Sequence, residues 1–89
     1  MEKQKRYRVR IEVESQKGKC ASGHKVGDRW IVNEETPVGI CYAAFHVCML
    51  GIRVLQFGGS LPWEKADEYR CACPDPDNPV VFRLQRLDD

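Results

Sequence analysis

The chain reads as an α+β domain in the order β-β-α-β-β, one helix packed on a small, mostly antiparallel sheet. Three observations predict it. Residues 7–14 alternate apolar and charged along their whole length. Apolar side chains at Cys41, Phe45, Cys48, Ile52 and Leu55 recur at spacings of four, three, four and three. Two short apolar runs flank a turn holding Pro74, Pro76 and Pro79. Period two is the signature of a strand with one wet face, and period 3.6 that of a helix with one buried stripe.

Each element follows from its own residues. In the first strand, Tyr7, Val9, Ile11 and Val13 share one face, and Arg8, Arg10, Glu12 and Glu14 the other. A long connection, residues 15–28, carries Gly18, Gly23 and Gly27 and ends in a turn. Arg29 to Val32 is the second strand, broken by the polar run that leads to Pro37. The helix spans residues 41–56. Gly51 lies inside it, where glycine weakens a helix by ~1 kcal/mol relative to alanine and permits close packing. Gly58 and Gly59 end it, because glycine takes the left-handed conformation of a C-terminal cap. Ser60 to Trp63 is a loop with one large aromatic. Residues 69–73 form the third strand, with Tyr69, Cys71 and Cys73 on one face, and 80–85 the fourth, with Val80, Phe82 and Leu84 on one face. The last two strands make a hairpin; prolines in its turn cannot donate to a ladder.

Eighty-nine residues, 43% hydrophobic and 30% charged, fit a single domain spanning the chain, residues 1–89. The longest apolar stretch, residues 40–52, is interrupted by His46 and falls short of the ~20 residues of a membrane span. Lys+Arg 14 against Asp+Glu 13 leaves a net charge of +1, so no basic excess points to nucleic acid. The first six residues lack the apolar core of a secretion signal, and the expected location is the cytoplasm. No glycine-rich phosphate loop, serine nucleophile elbow, zinc-protease motif or paired carboxylates are present.

The cysteines carry the functional signal. There are five (Cys20, Cys41, Cys48, Cys71 and Cys73), and an odd number without a secretion signal argues against a disulfide framework. In a reducing compartment, cysteines act as small buried hydrophobes or do metal or thiol chemistry. Cys48 lies mid-stripe on the helix and Cys71 on the inner face of a strand, so both read as core. His46 falls off the stripe and reads as a surface residue. Three other cysteines lie at element ends. Cys20 stands four residues before His24 in the glycine-bearing loop. Cys41 opens the helix, where unpaired N–H groups and the macrodipole favour a thiolate. Cys73 ends a strand before Pro74. Three thiolates and one imidazole are a tetrahedral donor set for zinc, and the same soft set suits iron or copper(I). Asp28 and Asp75 fit turn chemistry and are alternatively candidates to orient His24. Trp63 is a candidate lid on the core or a ligand-binding aromatic beside the site.

Several blocks resemble a family of small bacterial and archaeal proteins of about this length whose function is uncharacterised. They are Gly18-Lys19-Cys20-Ala21-Ser22-Gly23-His24-Lys25-Val26-Gly27-Asp28, then Gly39-Ile40-Cys41 with Ala44-Phe45, then Gly58-Gly59 and Pro62-Trp63. Cys73-Pro74-Asp75 and Pro79-Val80-Val81-Phe82 complete the set, which covers most of the chain. The resemblance singles out Cys20, His24, Cys41 and Cys73, and not Cys48 or Cys71. The chain departs from it at Tyr42, where the family pattern has a proline that would fix the helix start. It implies a shared site and no reaction.

Three functions follow as expectations. The first is a small metal-binding protein with Cys20, His24, Cys41 and Cys73 as ligands to zinc or iron. The second is a thiol-dependent enzyme or redox protein, with Cys41 as nucleophile, His24 as base, and Cys20 or Cys73 resolving. The third is an interaction module or accessory subunit, or a homo-oligomer, presenting Trp63 and a sheet edge.

Overall fold

A computed structural model describes residues 6–87; residues 1–5, read above for a secretion signal, lie outside the described residues. The elements are β1 (Val9–Gln16), β2 (Arg29–Val32), α1 (Tyr42–Gln56), β3 (Glu68–Ala72) and β4 (Val80–Arg86). All strand pairs are antiparallel and the sheet order is β2-β1-β4-β3. This is the α+β class and element order that the residue pattern predicts. Strand limits shift by one or two residues. β1 begins at Val9, and Tyr7 instead donates its amide to the Gln56 carbonyl at the helix end.

The central pair β1 and β4 builds the core. Ile11 lies opposite Leu84 and Val13 opposite Phe82, and all four are buried. Val9 and Val80 extend the same apolar face. Full burial of such side chains contributes ~1.5–3 kcal/mol each. The opposite face is the charged row of β1 and its neighbours, and it carries both signs. Glu12 pairs with Arg29 at 3.4 Å, Glu14 with Arg70, and Glu68 with Arg83 at 3.4 Å.

α1 covers the apolar face, mainly over β3 and β4. Ala44, Cys48, Gly51, Ile52 and Leu55 are buried, so the stripe lies slightly to one side of the expected one and Phe45 sits at its edge. Tyr69 of β3 packs directly against the helix on this side. Its ring lies so close to Gly51 that a Cβ there would overlap Cδ1, Cγ and Cε1. The C-terminus closes as a Schellman motif: Gly59 N–H donates to the Val54 carbonyl at 2.9 Å and Gly58 N–H to Leu55 at 3.2 Å, with Gly58 at φ +82°. Arg86 adds guanidinium bonds to the carbonyls of Leu55 and Gly59.

A register shift between Val13 and Ser15 marks a bulge in β1. Val13 then exchanges hydrogen bonds with the turn, donating to the Asp28 carbonyl and accepting from Gly27 N–H. This fixes the far end of the 17–28 loop on the sheet. No helix among the described residues is long and apolar enough to cross a membrane.

Candidate functional site

The 17–28 loop is stapled to two other segments, and these attachments build the site. At its start, Lys17 N–H donates to the Pro79 carbonyl and Lys19 N–H to Asn78 Oδ1, at 3.0 and 2.9 Å. Gly18 is required there: it takes φ +70°, and a Cβ would collide with the Asn78 side chain. Asn78 is in turn held by Asp75, whose carboxylate accepts from Asn78 Nδ2 and from the amides of Asp77 and Asn78. These bonds hold the Asp75 carboxyl below its ordinary range, the Asn78 side chain contributing most. At the other attachment, His24 Nε2 accepts the backbone N–H of Cys41 at 3.0 Å. The loop is thereby tied to the β3–β4 turn, where Cys73 lies, and to the start of α1, where Cys41 lies.

The result is a cavity of about 210 Å³ that Cys20, His24, Cys41 and Cys73 all line, with Ser22 at its side and Phe82 from the core. Three segments distant in sequence, the 17–28 loop, the helix start and the β3–β4 turn, thus contribute the four residues singled out above. All five cysteines are free thiols. Among the described residues, however, no three His, Cys, Asp or Glu side chains are gathered tightly enough to hold an ion.

Each donor has its own constraints. Cys41 is the N-cap residue of α1, with extended backbone (φ −61°, ψ 137°) and no capping bond from its thiol. Its pKa is lowered, first by the Ser22 hydroxyl and then by the Ala44 amide; burial opposes this and the Ala43 amide adds to it. The second and third residues of the helix thus offer their orphan amides to a thiolate, as the macrodipole argument requires. Cys73 Sγ accepts the Val80 amide at 3.3 Å and faces the Asn78 carbonyl at 3.8 Å. Cys20 is half-buried, and its carbonyl accepts Gly23 N–H, curling the loop around the cavity.

His24 is 7% exposed and packs edge-on against Trp30, ring centroids 4.9 Å apart. An Nε2 that accepts a hydrogen bond carries no proton, so the ring's proton resides on Nδ1. Nε2 is spent on the Cys41 backbone amide and not on the Cys41 thiol, so in this arrangement that nitrogen positions the helix start. Neither aspartate orients the ring. Asp28 accepts from Lys25 N–H within its own turn, and Asp75 organises Asn78.

Trp63 is 74% exposed and borders a separate polar cleft with Glu14, Arg70 and Arg83. It is neither a lid on the core nor beside the thiol cavity, because the loop after Gly59 leads it away from the apolar face. His46 is exposed, as its place on the helix requires. Cys48 is fully buried and Cys71 partly so, both against the core. Ser22 and Asn78 are site residues that the residue pattern does not single out. Ser22 does stand midway between Cys20 and His24, where a curled loop turns it toward the same space. No family model, curated protein or solved structure matches the chain, so the site's chemistry is argued from its own residues.

Proposed function

We propose that the chain is a small metal-binding protein that takes a soft transition ion, zinc or iron, at the Cys20, Cys41 and Cys73 sulfurs, with His24 as the fourth donor. One observation carries the reading: three thiols and an imidazole from three separate segments line a single cavity. Soft donors of this kind suit zinc and iron, and a four-donor set is that of a structural site. Binding asks Cys20 and Cys73 to close on Cys41, and asks His24 to release the Cys41 amide. The lowered pKa of Cys41 favours the thiolate that a metal takes as ligand. A reducing, cytoplasmic setting suits five unpaired thiols.

Elemental analysis of untagged protein tests this. The expected result is about one equivalent of zinc or iron per chain, lost in Cys20→Ser, Cys41→Ser and Cys73→Ser alike. Metal below about a tenth of an equivalent, with melting unchanged by chelator, would overturn it. His24→Ala separates two roles: a ligand's loss weakens metal affinity, whereas a positioning residue's loss leaves affinity near wild type and disturbs the helix start.

The lowered pKa of Cys41 favours a second reading, thiol chemistry with Cys41 as nucleophile. Metal-free protein with one thiol alkylating much faster than the other four would support this reading over the first.

A further inference from the structure

A second pair of thiols lies outside the cavity. Cys48, in the middle of α1, and Cys71, on β3, place their sulfurs 3.4 Å apart. Neither lines the cavity. Cys48 is fully buried and Cys71 half-buried, so the pair sits at the seam between the helix and an edge strand. We infer that Cys48 and Cys71 form an oxidisable dithiol, a modification site that a hydroperoxide converts to a disulfide joining α1 to β3.

The geometry assigns the roles. The two sulfurs lie within hydrogen-bond distance and either can donate; Cys71 is the more exposed, so it is the sulfur a peroxide reaches first. The Cys71 thiolate attacks one peroxide oxygen and the O–O bond breaks. Cys71 becomes a sulfenic acid, and the second oxygen leaves as water or an alcohol after taking a proton. The Cys48 sulfur then attacks the Cys71 sulfur. The S–S bond forms, the S–OH bond breaks, and the departing hydroxide takes the Cys48 proton to become water. The two thiols lose two electrons and the peroxide gains them. Closing the pair to a bond of ~2.05 Å requires the sulfurs to approach by only ~1.4 Å. No neighbouring thiol competes, because Cys20, Cys41 and Cys73 face the cavity.

Wild-type protein treated with one equivalent of hydrogen peroxide, then alkylated and digested without reductant, tests the inference. The expected product is a peptide pair linked through Cys48 and Cys71, two mass units lighter than the dithiol and released by dithiothreitol. Cys71→Ser should abolish the link, and Cys48→Ser should leave Cys71 to progress to sulfinic acid. If the wild-type protein instead gives links only among Cys20, Cys41 and Cys73, over-oxidised Cys71, or an unmodified pair, the inference is wrong. Metal content of the cavity does not enter this readout, so it stands or falls apart from the metal reading.

Discussion

Replacing Gly51 by alanine sets two effects of known size against each other. Alanine in a helix interior is favoured over glycine by ~1 kcal/mol. At this position, however, the new methyl would overlap three carbons of the Tyr69 ring, which lies directly on the helix backbone. Overpacking of that kind costs about 1–3 kcal/mol. The overlap involves the rigid inner part of the ring, not the end of a flexible chain, so the upper half of that range applies and packing outweighs propensity. The expected net is a loss of about 1–2 kcal/mol, hence a fall in Tm of roughly 5–10 °C for a domain of this size. Urea unfolding followed by far-UV circular dichroism and a thermal scan would measure it. Removing the ring should reverse the sign: in a Tyr69→Ala background, Gly51→Ala should stabilise. A Gly51→Ala protein that melts at or above wild type would refute the close helix–strand contact on which the placement of β3 under α1 rests.

Oxidation of Cys48 and Cys71 closes a loop between positions 23 apart and should raise unfolding free energy by about 3 kcal/mol on the chain-entropy estimate. Urea midpoints of the oxidised and reduced forms would check it. Ser22→Ala should raise the Cys41 pKa toward its ordinary value, because the Ser22 hydroxyl is the largest influence lowering it. Alkylation rate against pH reads the change. The sign also fixes a stability trend. A thiol depressed on folding contributes stability above its unfolded pKa and loses that contribution as pH falls through the folded one, so Cys41 aids folding on the alkaline side of neutrality. His24→Ala should leave the Cys41 amide without its acceptor and destabilise by about 1–3 kcal/mol, with faster hydrogen exchange at that amide as the local signature.

Much of the fold was legible because its elements have clean periods. Val9, Ile11 and Val13 alternate with charged residues and are all buried, and the helix stripe named three residues, Cys48, Ile52 and Leu55, that the core contains. Periods assign faces but not partners. Cys48 and Cys71 were each readable as inward-facing, yet their contact depends on how far α1 slides along β3, which the Gly51–Tyr69 approach sets. The candidate site was legible through residue types at element ends, since the ends of a small sheet and helix gather at one edge. The detailed role of His24 was not. Whether its ring meets a sulfur or a backbone amide turns on loop curvature that Gly18 and Gly23, both at positive φ, leave open in the sequence. Trp63 was unreadable for a related reason: a loop aromatic has no period to say which way it faces.

The central claim is that the sulfurs of Cys20, Cys41 and Cys73 act together. Differential alkylation with mass spectrometry, as zinc is titrated into the reduced protein, tests it most directly. Cooperative ligation should protect Cys20, Cys41 and Cys73 in parallel, saturating near one equivalent and reversed by chelator, with Cys71 unaffected. Protection of Cys41 alone, or of none of the three, would contradict the claim.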